Sequence, residues 1–406
     1  MKKDAMRVFF LVFVAISMIA SQALCQTSKT AAPSGEPIKL GGSLPMTGIF
    51  SESAKWIKAG YEFWAEDINK RGGLLGRPVK LILYDDESNA DKAVTYYERA
   101  ITVDKVDLLV GGYPGTSNVA LMPLVEKYKM AFVGMGGHMK SFEQGFTYSF
   151  GSPPLMSEWV YLSFAPVLDQ LIPKKDLPKS MAILTMNNVI GLGARPNMIK
   201  AFEERGVKTV VNETYNLPLS DATPLVSKAK GMGAEILACM SFFDDGVMIT
   251  RAAKAMNYNP KLYMHQLASR IPAWMKELGP DGDNVLGNSY WAPGLPYPGN
   301  DKIYQGSREK LGIPVPPDFF GQGYCWMYSL EIAVKGAGTL DNTKIRDYLR
   351  SRPIDLPYGK GVRFDSRGLP SPYALTVQTV QGQNKLLLPK ESAQTKLVYP
   401  RPGWGK

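Results

Sequence analysis

The run Ile68–Asn89, I-N-K-R-G-G-L-L-G-R-P-V-K-L-I-L-Y-D-D-E-S-N, leaves the chain few choices. Ile68 closes an apolar face that Trp56, Gly60, Phe63 and Trp64 share at helical spacing, so an amphipathic helix is expected over 54–71. Gly72-Gly73 stop that helix, because glycine adopts the left-handed C-terminal conformation without a Cβ penalty. Gly76 and Pro78 punctuate a loop. Val79, Leu81 and Leu83 then form a strand that Asp85-Asp86 end at the lip of a sheet.

The same string resembles the first helix-to-strand junction of the type I periplasmic binding proteins, the leucine/isoleucine/valine-binding family of ABC importers. That junction reads roughly I-N-x-x-G-G-x-x-G-x-x-(apolar)-x-x-x-x-D-D. Two glycines, a third three residues on and an acidic pair ending ten residues later carry the likeness. It extends from about Ile38 to about Gln383. The resemblance implies an α/β fold of two doubly wound parallel-sheet lobes joined by three hinge crossings. It also implies capture of a small-molecule ligand by cleft closure and an inner-membrane ABC permease as partner. Relatives that carry a disulfide place it near Ser88 and Pro114, and this chain has no such bridge.

Length and composition agree with that class. The 406 residues suffice for two domains, 45% are apolar and 21% charged, and no repeat or low-complexity tract interrupts them. Residues 1–25 stand apart: Lys2, Lys3 and Arg7 precede the apolar run Val8–Ala20, which is too short to span a bilayer. This is the pattern of a secretory signal peptide, and it points to the periplasm. Lipid attachment at Cys25 is not expected, since Leu24 stands where that signal wants a small residue. The net charge is +10; three positive charges and Asp4 leave with the signal, giving +8. No Lys/Arg cluster interleaved with aromatics appears, so nucleic acid is not an expected partner. Cys239 and Cys325 sit in apolar runs and read as small buried hydrophobes.

Strand and helix patterns alternate after Ile38, as in a parallel sheet with crossover helices, whose ligands gather beyond the carboxyl ends of the strands. Two loops are therefore candidates. Gly112–Ser117 precedes a helix expected over 118–129, and Gly134–His138 follows a strand at 130–133. Hydroxyls and N–H groups at a helix N-terminus suit a carboxylate, although Thr116 or Ser117 would also serve as a plain N-cap. The resemblance assigns ligand contacts to Ser53, Tyr113, Gly115, Thr116, Gly136, Gly137 and His138 in the first lobe. In the second it assigns Ile190, Phe242 and Gln266. Relatives bind an α-ammonium there with tyrosines and a glutamate; Ile190 and Gln266 carry no charge and Phe242 keeps only a π-face. The expected ligand is a carboxylate without the ammonium, aromatic or apolar. The alternative is an amino acid, with Asp244 or Asp245 restoring the missing charge. His265 ends a second-lobe strand and is expected to face the cleft.

The crossings are placed at Phe150–Pro154, Tyr290–Pro293 and Gly361–Gly368. They divide the chain into a signal peptide (1–25), a first lobe (38–152 and 292–362), a second lobe (153–291 and 363–385) and a loosely held tail (386–406). Second-lobe strands are expected at Met181–Leu184, Val207–Val211, Glu235–Cys239 and Lys261–Met264. Helices are expected at Pro196–Glu204, Thr223-Pro224 to Met232, Asp245–Met256 and Phe319–Lys335, the last aromatic nearly all round and so deeply buried. Gly191-Leu192-Gly193 lacks the third glycine of a dinucleotide loop, with Pro196 in its place. No G-x-S-x-G, H-E-x-x-H or P-loop is present, and the two histidines lie far apart in sequence. The expectation is a monomeric binding protein with no cofactor, no metal and no catalytic residues. A ligand-sensing receptor on the same fold is the other reading.

Overall fold

The computed structural model describes residues 32–136, 142–152, 156–312, 317–371 and 374–405. The first lobe opens with β1 (Ile38–Leu44), α1 (Ser51–Lys70), β2 (Val79–Asp85), α2 (Ala90–Thr102), β3 (Leu108–Leu109), α3 (Gly115–Lys127), β4 (Phe132–Gly134) and β5 (Ser149–Gly151). Its strands pair in parallel, in the order β2-β1-β3 and β4-β5. The chain then builds α4 (Met156–Gln170), β6 (Ser180–Met186), α5 (Val189–Glu203), β7 (Lys208–Tyr215), α6 (Thr223–Gly231), β8 (Ile236–Met240), α7 (Phe243–Ala255), β9 (Leu262–His265), α8 (Ala273–Leu278) and β10 (Val285–Ser289). It continues through α9 (Asn300–Leu311), α10 (Asp318–Ala337), α11 (Asn342–Ser351), β11 (Ile354–Leu356), β12 (Gly359–Val362), β13 (Leu375–Val380) and β14 (Gln383–Leu388). The second lobe is one seven-stranded sheet, β14-β13-β10-β9-β8-β6-β7, parallel except that β13 and β14 add an antiparallel edge. No described helix is long and apolar enough to cross a membrane.

Local chemistry explains the joints. The Asn89, Asn188 and Asp341 side chains accept backbone N–H bonds at the starts of α2, α5 and α11, satisfying donors that a helix leaves unpaired. After α1 the backbone turns through Gly72 and Gly73 at φ +94° and +78°, as the sequence requires. A Cβ on Gly73 would stand 2.1 Å from the Arg77 carbonyl oxygen.

Helix α10 returns from late in the chain to pack on α1. Contact is at backbone level: a Cβ on Gly60 would lie 2.3 Å from the Phe320 carbonyl oxygen, and one on Gly323 2.5 Å from that of Ile57. At one end Glu331, 3% exposed, receives two bonds from Arg71 at 2.7 and 2.9 Å, with Trp64 Nε1 at 2.9 Å and Lys335 at 2.7 Å. These partners pull the Glu331 carboxyl below its ordinary range against the opposing effect of burial.

Two crossings run side by side. Gly151 N–H donates to Gly368 O at 2.9 Å, and the Phe150 and Phe364 rings meet edge to face at 5.1 Å. Ser152 O accepts from Gln322 Nε2 and Trp326 Nε1 at 2.9 and 2.7 Å. In the crossing at Tyr290–Pro293 the Ala292 carbonyl is held by Asn300 Nδ2 at 2.9 Å.

The structure differs from expectation in several places. Helix α5 starts at Val189 rather than Pro196, because Asn188 caps it there; Pro196 lies inside, and Gly191–Gly193 belong to the helix. Helix α3 starts at Gly115 with Pro114 as N-cap, so neither Thr116 nor Ser117 is the cap. The chain end is packed rather than loose. Residues 386–388 complete β14, and Arg401, 6% exposed, lays its guanidinium 4.0 Å from the Trp404 ring centroid. Polarity along 386–406 misled because the apolar contacts are few and the rest is hydrogen bonding, such as Arg401 N–H to Lys261 O at 2.9 Å. Residues 1–25 lie outside the described residues, as do Pro153 and Pro154 of the first crossing. Cys239 and Cys325 are buried free thiols.

Candidate ligand cleft

The two lobes face each other across a small cavity of about 90 Å³. The first lobe supplies Gly48 through Ser53, where the loop after β1 enters α1, and Tyr113 after β3. The second supplies Phe242, Phe243 and Asp244 at the start of α7, with Leu267 and Ile271 beyond β9. Phe50 spans the gap: its ring meets Tyr113 at 6.0 Å and Phe242 at 5.1 Å, both edge to face. Such pairs contribute about 0.5–1.5 kcal/mol beyond area burial. The Ser53 side chain hydrogen-bonds Tyr113, whose hydroxyl is pushed up by burial and then by Tyr290. It is therefore a neutral hydrogen-bonding group at any physiological pH.

Two acidic residues, Glu52 and Asp244, line the cavity. Asp244 is exposed, and Glu52 is bound to Lys55 at 2.6 Å. Asp245 is 3% exposed and turns into the second lobe, where the Tyr215 hydroxyl donates to it. Burial pushes the Asp245 carboxyl from 3.8 up to about 6. A raised carboxyl favours the folded protein while protonated. Its cost to stability is absent below the ordinary value, grows between pH 3.8 and about 6, and is complete above that. Asp245→Asn should therefore gain on the wild type as pH rises through this window, by roughly 2–3 kcal/mol. Urea denaturation of both proteins from pH 4 to 7 checks this, and a pH-independent difference would count against it.

Of the expected contacts, Ser53, Tyr113 and Phe242 come together in this cavity. Gly115 and the half-buried Thr116 follow Tyr113 in the first turn of α3. Gly136 is buried, next to the site a Gly151 Cβ would fill. Ile190 is buried at the start of α5, its N–H donating to Asn188 Oδ1 at 3.1 Å. Gln266 is 3% exposed and its Oε1 has no partner among the described residues. Gly115, Thr116, Gly136, Ile190 and Gln266 do not line the cavity. Gly137 and His138 lie outside the described residues. His265 does not face the cleft. It is fully buried in the second lobe, with Nδ1 2.8 Å from Ser241 Oγ and its ring 4.9 Å from Trp274, and burial drives its imidazole down to about 3.

Phe50, Phe243, Leu267 and Ile271 are cavity residues that sequence patterns did not single out. Phe50 stands three residues before Ser53, already named as a contact; Leu267 and Ile271 carry no local signal. Beside the cavity, Arg270 of the second lobe pairs with Asp318 at the start of α10 at 2.9 Å, with side chains 1% and 7% exposed. The guanidinium lies 4.1 Å from the Tyr290 ring centroid and 5.0 Å from that of Phe319, and Phe319 packs on Tyr113 at 5.6 Å. Asp318 Oδ2 also accepts from Tyr290 N–H at 3.1 Å and Ser289 Oγ at 3.2 Å. This buried pair therefore ties the second lobe to the first beside a crossing.

Residues 37–384 match the family described as periplasmic binding protein. Leu/Ile/Val-binding protein homolog 7 of Brucella abortus is 23% identical over 256 residues, 61% of this chain, and the match spans only 61% of that relative's length. The fold is similar to that of the branched-chain amino acid transporter substrate-binding protein LivJ from Streptococcus pneumoniae in complex with isoleucine. That TM-score is 0.74 at 17% identity, covering 86% of this chain and 98% of the other. It is similar to a solute-binding protein of an ABC transporter from Rhodopseudomonas palustris BisB5 in complex with 3,4-dihydroxy benzoic acid. Here the TM-score is 0.73 at 17% identity, covering 90% and 98%.

Proposed function

Because this chain belongs to the periplasmic binding protein family, we propose that it is the extracytoplasmic solute-binding component of an ABC importer of the branched-chain amino acid type. It catalyses nothing. Residues 1–25 direct it to the periplasm as a signal peptide. There it captures a small carboxylate that lacks an α-ammonium, aromatic or apolar, and presents it to an inner-membrane permease.

One observation carries the ligand class: Phe50, Tyr113, Phe242, Phe243, Leu267 and Ile271 line the cavity between the lobes, and of its two carboxylates Glu52 is paired with Lys55 and Asp244 is exposed, so neither is buried. An ammonium entering it would be desolvated without a buried counter-charge. The Ser53 and Tyr113 hydroxyls line the cavity and offer the first lobe's contacts to the anionic end. Solved structures of similar fold are complexes with isoleucine and with 3,4-dihydroxy benzoic acid, so both chemistries fit the scaffold. The mechanism is closure: a ligand touching both lobes favours the closed form by its differential contacts.

Thermal-shift screening followed by calorimetry, with benzoates, aliphatic carboxylates and branched-chain amino acids side by side, tests the reading. Stabilisation by aromatic or apolar acids is expected, and micromolar binding of leucine would overturn the ligand class. Phe242→Ala should weaken binding by about tenfold and leave the fold intact, since it removes one aromatic wall from a half-buried position. Thr116→Ala and His138→Ala should weaken it by several-fold. Calorimetry on folded variants checks all three.

A further inference from the structure

The cleft as it stands is too small for the ligand class assigned to it. Its cavity measures about 90 Å³. An apolar cavity of about 150 Å³ takes one benzene ring, and small-molecule sites begin at roughly 300 Å³. What fills the remaining space is the protein's own ring. Phe50, half-buried, stands between the lobes with its centroid 6.0 Å from that of Tyr113 and 5.1 Å from that of Phe242, at interplanar angles of 83° and 85°. Those are the edge-to-face contacts that an aromatic ligand would make with the same two rings.

The backbone under this ring is pinned. Phe50 N–H donates to Ser88 Oγ at 3.2 Å, and its carbonyl accepts from Ser53 and Ala54 N–H at 3.2 and 3.1 Å in the first turn of α1. The loop before it is tied to the end of β2, where the Asp85 carboxylate accepts from Met46 N–H, Thr47 N–H and Thr47 Oγ1 at 2.9, 3.2 and 2.8 Å. With the main chain held on both sides, the ring leaves the cleft by turning about its own side-chain bonds, and its half-burial leaves an open side to turn toward.

We propose that Phe50 is an internal occupant of the cleft: without ligand its ring holds the lobes together by bridging Tyr113 and Phe242, and a ligand binds by displacing it. This rests on the reading of the cleft as the solute site. A molecule with the ring in place cannot bind, so the observed affinity is the intrinsic affinity reduced by the fraction of molecules whose ring is out. That reduction is the same for every ligand. An aromatic acid recovers the two edge-to-face contacts that the ring gives up, and an aliphatic acid does not. Phe50 therefore sets the threshold for binding, while Tyr113 and Phe242 set the preference for rings.

The test is calorimetry on the intact protein with benzoate and hexanoate, small-angle scattering with and without each, and a crystal grown with benzoate. Phe50→Ala should bind benzoate about tenfold more tightly than the wild type, and hexanoate more tightly by the same factor. Phe50→Leu keeps apolar bulk and loses the ring, so its affinities should fall between. Ligand-free Phe50→Ala should scatter as a more open particle than the ligand-free wild type. The crystal should show the benzoate ring between Tyr113 and Phe242, with Phe50 turned out. If Phe50 is only a wall of the site, its truncation weakens benzoate binding, and that result overturns the proposal. Unchanged scattering, or a benzoate complex with Phe50 still in place, overturns it as well. Opening of ligand-free Phe50→Ala while neither acid binds any of the three proteins supports the internal occupant and overturns the carboxylate reading instead.

Discussion

Arg270→Met should lower stability by about 3–5 kcal/mol. The reason is what it leaves behind. Asp318 stays buried at the start of α10 with one carboxylate oxygen bound by Tyr290 N–H and Ser289 Oγ, and loses the one cation paired with it among the described residues. Two ring contacts of the guanidinium, to Tyr290 and Phe319, go as well. The double variant Arg270→Met with Asp318→Leu removes both charges at once and should recover most of the loss, because a buried ion pair roughly balances against packed apolar side chains. Urea denaturation of the three proteins at neutral pH decides it. A single variant within 1 kcal/mol of the wild type would show that water reaches the pair and that it does not bind the lobes together.

Gly60→Val should come close in size by a different route. A Cβ at this position would stand 2.3 Å from the Phe320 carbonyl oxygen and 2.9 Å from the Tyr324 nitrogen, both backbone atoms of α10. Neither atom belongs to a rotatable side chain, so α1 and α10 must separate, opening the packing around Gly323 and Ile57. Overpacking a core usually costs about 1–3 kcal/mol, and backbone obstruction places this variant at or above the top of that range. Gly60→Ala should fall below it. Gly231→Ala is the control: nothing lies within 4 Å of its added Cβ, its φ is not positive, and α6 should be unchanged or slightly more stable. If Gly60→Val and Gly231→Ala denature at the same urea midpoint, the close approach of α1 and α10 is not what holds the first lobe.

The Glu331 cluster shows the same logic at a longer sequence range. Trp64 and Arg71 face outward or inward on α1 according to a partner found 260 or more positions later. Helical spacing identified the aromatic face of α1, yet nothing in the spacing said that Glu331 would answer it. The cleft repeats the case. Tyr113 was legible because it lies in a turn that a parallel sheet must place at its carboxyl edge, whereas Ser53 was named through the family resemblance. Leu267 and Ile271 were not, since apolar residues in a loop after a strand look the same whether they face a core or a ligand. His265 was misplaced because strand position predicts the end of a residue's element but not which of the two faces its side chain takes.

What the amino-acid sequence determined alone was the local grammar: Gly72-Gly73 stopping α1 and the alternation that makes parallel sheets. These are contests among groups a few residues apart, and the chain carries both contestants. The tertiary structure alone decided that Phe50 meets Phe242, that Arg270 meets Asp318, and that Asp245 turns to Tyr215 instead of the cleft. Such pairings depend on how two separately folded sheets are oriented, and the energy that selects them comes from desolvation at contacts that have no periodicity along the chain.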